Sequence, residues 1–247
     1  FPYTTLFRSA DSSLVLGHRL SEWCGHGPIL EEDIAMTNIA LDHIGTATSF
    51  YEYAAQLEGK GRSADDLAYF RDERVYTNNL LVEQPNGDFA VTMLRQFFFS
   101  AYAYLLYTQL KASGDATISG IAEKAVKESS YHLRHSSQWV IRMGDGTEES
   151  TQRMQDAIAD LWKFAGDMFV MDEVDANLIK AGVIGDTSSV KTKWDGMVAQ
   201  VFEEAKLQVP QNIPAITGGY KSKHTEHLGF LLAEMQHLQR TYPNAQW

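Results

Sequence analysis

A helix with a polar middle is the feature that most constrains how this chain can fold. Between Ile118 and Met143, residues at alternating steps of four and three fall on one helical face. This face consists of Ile118, Ala122, Ala125, Ser129, His132, Ser136, Trp139 and Met143. Its ends are apolar or small, its middle is polar, and Glu128 lies one turn before His132. The pattern predicts a bundle helix that turns an imidazole and a carboxylate toward the bundle centre.

The rest of the chain also reads as helical, since no stretch shows the strict alternation of a strand. Long helices are predicted over 11–23, 30–57, 89–111 and 117–143, followed by a helical C-terminal third over 149–171, 188–207 and 224–241. Shorter helices are expected near 64–72 and 76–82. Asp11, Ser12 or Ser13 is a suitable cap for the first helix. The prediction is an all-α fold.

The second long helix is expected to face the core with a stripe at helical spacing: Leu30, Ile34, Thr37, Leu41, Ile44, Thr48, Tyr51 and Ala55. The turns between helices are short, so residues 11–247 are predicted to form one domain. Residues 1–10 show no clear period and are expected to be poorly ordered and to lie outside that domain.

The third long helix, over 89–111, is the most apolar part of the chain and includes the run FFFSAYAYLLY at 97–107. Its aromatic side chains point in nearly all directions around the helix axis. Such a helix is either central in its own chain or covered by a partner. The sequence leaves both alternatives open.

Composition limits the partners and the location. The formal net charge of −11 disfavours binding to nucleic acid or to anionic membranes. No apolar run approaches the ~20 residues of a membrane span, and the N-terminal residues lack the pattern of a signal peptide. Cys24 is the one cysteine, which excludes an intrachain disulfide and fits a reducing compartment. The cytoplasm is therefore the expected location.

The polar bundle centre can be compared with a di-iron site, which takes a Glu from each of two helices and Glu-x-x-His from each of two others. The candidate ligands here are Glu22, Asp42, Glu128 and His132. The third long helix has no Asp or Glu from position 89 through 114, and His132 follows Glu128 by four residues instead of three. The prediction is a hydrogen-bonded polar centre without metal.

Two other histidine patterns lie near the C-terminus. The one strict Glu-x-x-His is Glu234 with His237, outside the four long helices. His224 and His227 flank Glu226 at a helix start, which we interpret as a solvated turn whose acid suits the helix dipole.

Long phrases of the sequence resemble a known family. They are LGHRLSEWCGHGPILEEDIAMTNIALDHIG (16–45), FRDERVYTNNLLVEQPNGDFAVTMLRQFF (70–98), AVKESSYHLRHS (125–136) and HTEHLGFLLAEMQHLQR (224–240). They are similar to the C subunits of bacterial phenylacetyl-CoA 1,2-epoxidase (phenylacetate-CoA oxygenase), the PaaC family. The resemblance runs from about Leu14 to Trp247, and residues 1–10 take no part in it.

The resemblance implies a ferritin-like four-helix bundle with additional C-terminal helices. It also implies a non-catalytic scaffold in a multicomponent oxygenase of aerobic phenylacetate degradation. A catalytic ferritin-like sister subunit would hold the di-iron centre and bind the CoA thioester. A reductase with FAD and an iron–sulfur cluster would supply electrons from NADPH. No catalytic, cofactor-binding or metal-binding residue is expected in this chain itself.

Two other functions compete with the scaffold. One is a ferritin-like oxidase that binds metal through the irregular set Glu22, Asp42, Glu128 and His132. The other is a helical module that binds a small molecule, with the aromatic residues of 97–107 lining its pocket.

Overall fold

The computed structural model describes residues 4–186, 188–243 and 245, which contain helices and no strand. The α-helices are α1 (Thr4–Ser21), α2 (Leu30–Glu58), α3 (Ala64–Tyr69), α4 (Phe89–Leu110), α5 (Ala116–Gly144), α6 (Glu148–Ala165), α7 (Glu173–Lys180), α8 (Ser188–Glu204), α9 (Glu226–Met235) and α10 (His237–Thr241). Short 3₁₀ segments cover Glu73–Val75, Gly166–Phe169 and Gly219–Lys221. The predicted all-α class is confirmed.

The chain divides into two compact units. Unit 1 comprises residues 1–85 and 218–247, and unit 2 comprises residues 86–217. Unit 1 is built on α1 packed along α2, with α3 against α2 and α9 against α1. In unit 2, α4 packs against α5, α6 and α8. The assignment of 11–247 to one domain stays a prediction.

The first helix begins earlier than predicted. It starts at Thr4, so residues 4–10 are helical and not poorly ordered as expected, whereas residues 1–3 lie outside the described part of the chain. Leu6 and Ala10 are buried, and they extend the apolar face toward the N-terminus. Asp11 is not a cap but a fully buried residue inside the helix.

The second helix has the predicted length, but of its predicted core-facing stripe only Tyr51 and Ala55 at the C-terminal end are buried. Leu30, Ile34 and Leu41, which were expected to face the core, are exposed. The buried face of α2 instead contains Glu32, Met36, Ile39, Ala40, His43, Thr46, Ala47, Phe50, Tyr51, Ala54 and Ala55. The error arises because α2 is apolar on two faces, and periodicity alone does not tell which of them is packed.

The helix predicted over 76–82 does not form. The backbone N–H of Thr77 donates to Asp11 at 2.7 Å, and that of Asn79 donates to Ser12 at 3.2 Å. Side chains of α1 thus take hydrogen bonds that a helix would have made with its own carbonyls. A single 3₁₀ turn at Glu73–Val75 precedes this segment.

The aromatic helix α4 lies at the centre of unit 2. Phe97, Phe98 and Phe99 are buried, and the indole N–H of Trp194 on α8 donates to the Phe98 carbonyl at 2.9 Å. Helices from the C-terminal third therefore cover α4. Of the two alternatives that the sequence left open, α4 is a central helix of its own chain. α4 is the one described helix long and apolar enough to span a membrane, and 72% of its most apolar window is buried inside the protein.

Candidate functional site

The predicted polar face of α5 is largely confirmed. Ile118, Ala122, Ala125, Ser129, His132 and Ser136 are all buried. Beyond Ser136 the buried positions are Val140 and Gly144 instead of Trp139 and Met143. Glu128 lies beside this face with its side chain 19% exposed, and its carboxylate is 3.5 Å from the Lys124 ammonium.

The other two predicted centre residues belong to unit 1. Glu22 lies just beyond the end of α1, 41% exposed, and accepts a hydrogen bond from Arg19 at 2.8 Å. Asp42 is half-buried on α2, beside the exposed Leu41. Among the residues that the structure describes, no group of three or more His, Cys, Asp or Glu side chains could hold a metal ion. The shared hydrogen-bonded centre stays a prediction.

The strict Glu-x-x-His motif is divided between two helices. α9 ends at Met235 and α10 begins at His237, so Glu234 and His237 do not lie on one uninterrupted helix.

His237 lines an open cleft of about 620 Å³ together with Asp72, Glu73, Arg74, Gly229, Leu232, Ala233, Gln236, Arg240 and Thr241. Arg240 and Asp72 form an ion pair across 3.0 Å within it.

Unit 1 contains a buried charge pair that the sequence did not indicate. Arg71, at the end of α3, forms a bidentate pair with Asp11 of α1, and both side chains are almost completely buried. The Asp11 carboxylate also accepts from the Tyr51 hydroxyl at 2.5 Å and from the Thr77 N–H at 2.7 Å. Burial, followed by the nearby Asp11 charge, raises the pKa of the Tyr51 phenol well above its usual value. The pair thus joins α1, α2 and the segment after α3.

Three aromatic rings surround the guanidinium of Arg71. Its Cζ lies 4.8 Å from the ring centre of Phe7, 5.3 Å from that of Tyr51 and 4.3 Å from that of Tyr76. Burial would lower the pKa of Arg71, but the charge and hydrogen bonds of Asp11, together with the neighbouring phenols of Tyr51 and Tyr76, outweigh burial and raise that pKa. Arg71 therefore keeps its positive charge. Every described partner around it comes from unit 1, so its role is to hold the elements of this unit together.

A second buried network, built on His224 and Glu83, lies at the start of α9. The prediction that His224 lies in a solvated turn is therefore wrong. The His224 side chain is only 6% exposed. Its Nδ1 lies 3.0 Å from a Glu83 carboxylate oxygen and its Nε2 lies 2.9 Å from the Tyr76 carbonyl oxygen. An ionised Glu83 and the Tyr76 carbonyl can only accept, so this geometry favours the imidazolium, in which both ring nitrogens donate. Glu83 is itself fully buried and accepts from the Thr225 N–H at 2.6 Å and the Asn78 amide at 3.1 Å.

We expect the His224 network to make stability depend on pH. Burial would lower the pKa of His224, but its hydrogen bonds to Glu83 and Tyr76 outweigh burial and raise that pKa. The resulting stability is complete below the ordinary histidine pKa of about 6.5 and is lost as pH rises through the raised value.

Urea unfolding of the wild type and His224→Gln between pH 5.5 and 9 would check this. The free-energy difference between the two proteins should shrink as pH rises. His26→Gln, at an exposed turn residue, is the matched control. A difference that is constant across this range would contradict the imidazolium assignment.

Two comparisons with known proteins place this chain in a family. A family model described as phenylacetic acid catabolic protein, PaaA_PaaC, matches residues 2–247. The chain belongs to this family. A relative from Escherichia coli (strain K12), the C subunit of 1,2-phenylacetyl-CoA epoxidase, is 49% identical over 240 residues, which is 97% of this chain and 96% of the relative. The all-α, ferritin-like fold expected from the resemblance is that of the PaaA/PaaC family.

The exposed large apolar side chains of this PaaA/PaaC family member are unevenly distributed between the two units. Among described residues, every large apolar side chain that is more than half exposed lies in unit 1: Ile29, Leu30, Ile34, Leu41, Val75, Phe230, Leu238 and Tyr242. The most exposed large apolar residue of unit 2 is Ile216, at 45%. Contiguous exposed apolar patches are typical of interaction surfaces, whereas single exposed apolar side chains are ordinary.

Proposed function

We propose that this chain is the non-catalytic structural subunit of a multicomponent di-iron phenylacetyl-CoA 1,2-epoxidase. In this role it supports a catalytic ferritin-like sister subunit in aerobic phenylacetate degradation, in the cytoplasm, while a reductase docks transiently. The similarity over nearly its whole length to the C subunit of an epoxidase carries the proposal. A heteromeric assembly is supported by the relative's name, which describes one subunit of an enzyme.

The side chains that the structure describes do not fit a di-iron centre. A ferritin-like centre takes a carboxylate from each of four helices, because two iron cations need several negative ligands. Helix α4 contains no Asp or Glu, Glu22 lies beyond the end of α1, and Glu128 is near the Lys124 ammonium. In this proposal the catalytic subunit holds the iron, and the reductase holds FAD and the iron–sulfur cluster and uses NADPH, as the resemblance implies.

The small-molecule alternative receives no support from α4. Phe98, one of the aromatic residues that would line the pocket, packs instead against α8: its ring lies 5.3 Å from that of Trp194 and 6.1 Å from that of Phe202. Trp162 of α6 joins the same cluster, with its ring 5.8 Å from that of Phe98.

Metal analysis after reconstitution tests the structural role. We expect the purified chain, incubated anaerobically with ferrous iron and desalted, to retain well below one iron per chain, because the ligand set is incomplete. Glu128→Ala is the comparison variant and should give the same low value. Retention of about two irons per chain, lost in Glu128→Ala, would favour the metal-binding oxidase instead.

A further inference from the structure

The outer face of α2 is a stripe of apolar and small residues that stays open to solvent in the described part of the chain. Leu30 is 71% exposed, Ile34 is 51% exposed and Leu41 is 60% exposed. Gly45 and Thr48 continue the same face by one and two turns. Ile34, Leu41 and Thr48 recur at seven-residue spacing, the repeat by which one helix packs along another. Because the opposite face of α2 forms the core of unit 1, this helix is apolar on both sides.

The dimensions of the stripe indicate what kind of partner can cover it. From Leu30 to Thr48 it is roughly 27 Å long and about 10 Å wide, or on the order of 270 Å². A stable complex buries about 800 Å² per partner. A single isolated helix on this stripe would therefore be too small an interface. The partner has to be a folded chain that also covers other surface of unit 1, where Phe230 and Tyr242 are also exposed.

The charges on α2 argue against a second copy of this chain. The helix carries six carboxylates, Glu31, Glu32, Asp33, Asp42, Glu52 and Glu58, and no Lys or Arg. Glu31 and Glu52 are exposed near the two ends of the stripe. Antiparallel pairing of two copies centred on Leu41 would bring Glu31 of one close to Glu52 of the other, and parallel pairing would place each beside its equivalent. Like charges placed together in this way oppose association.

We propose that the outer face of α2 is the docking surface for the sister subunit, which lays along it an apolar helix flanked by Lys or Arg. The proposal rests on the proposed function, since it names the surface through which this chain would support that subunit. Ile34 and Leu41 provide the apolar contact, Gly45 lets the two helices approach closely, and Glu31 and Glu52 pair with the flanking cations.

Affinity measurements with the purified sister subunit from the same organism test this surface. Ile34→Asp and Leu41→Asp should each raise the Kd of the complex at least 30-fold, because each places a carboxylate in a dry apolar contact. The double reversal Glu31→Lys with Glu52→Lys should also weaken binding. Ile216→Asp, at an exposed isoleucine of unit 2, is the matched control and should leave the Kd within about threefold. Thermal melts check that each variant is folded, as expected for substitutions at exposed positions.

The outcomes separate this proposal from the proposed function. If the wild type binds the sister subunit and both Asp variants bind equally well, the α2 surface is wrong and the structural role stands. If the wild type does not bind it at all, the structural role itself fails, and this proposal fails with it. If sedimentation shows that the isolated wild type dimerises and that Ile34→Asp abolishes the dimer, the stripe serves self-association and the sister subunit is the wrong occupant.

Discussion

Replacing Arg71 by methionine should destabilise the protein by about 3–5 kcal/mol, because it leaves the Asp11 carboxylate buried without its cation. Asp11 is fully buried and lies in the interior of α1, so water does not replace the guanidinium. The three rings around Arg71 would also lose their cation–π contacts. Urea unfolding at pH 7 would measure the loss.

Two further variants test this explanation. Arg71→Met combined with Asp11→Asn should recover part of the loss, because the unpaired charge is gone while the asparagine carbonyl can accept from the Thr77 N–H and its amide can donate to the Tyr51 hydroxyl oxygen. Lys206→Met, which removes an exposed ion pair with Asp145 at 2.6 Å, is the control and should cost no more than about 1 kcal/mol. If Arg71→Met costs no more than this control, the pair is not the structural centre of unit 1.

The long helices could be predicted from the sequence because they have strong local signals. Both α4 and α5 lie within a residue or two of the predicted bounds, and in the structure Asp88 caps the start of α4 and Asp115 that of α5. The buried face of α5 was also correct as far as Ser136. Each of these signals depends on residues within a few turns of one another.

The errors occur where the structure depends on residues distant in sequence. Asp11 has the side chain of a typical cap, but its partner Arg71 is 60 residues away. His224 lies at a helix start, where solvent was expected, and its partner Glu83 is 141 residues away. The orientation of α2 failed for a related reason: both of its faces are apolar, and only the position of α1 decides which one is buried.

The sequence left open whether the aromatic residues of α4 lie inside the chain or under a partner. In the structure Phe97, Phe98 and Phe99 are packed within unit 2. Ile34 and Leu41 of α2, predicted as core, are the exposed residues. An interface helix and a core helix have the same composition, so hydrophobicity alone does not distinguish them.

Turnover by reconstituted components tests the central claim, that this chain supports catalysis without carrying it out. The chain, the reductase, NADPH and phenylacetyl-CoA are combined with and without the purified sister subunit, and epoxide formation is followed by chromatography. We expect no product above background without the sister subunit, because the described residues of this chain offer no ligand set for two irons. Product should form once the sister subunit is added. Epoxide formation by this chain and the reductase alone would contradict the account.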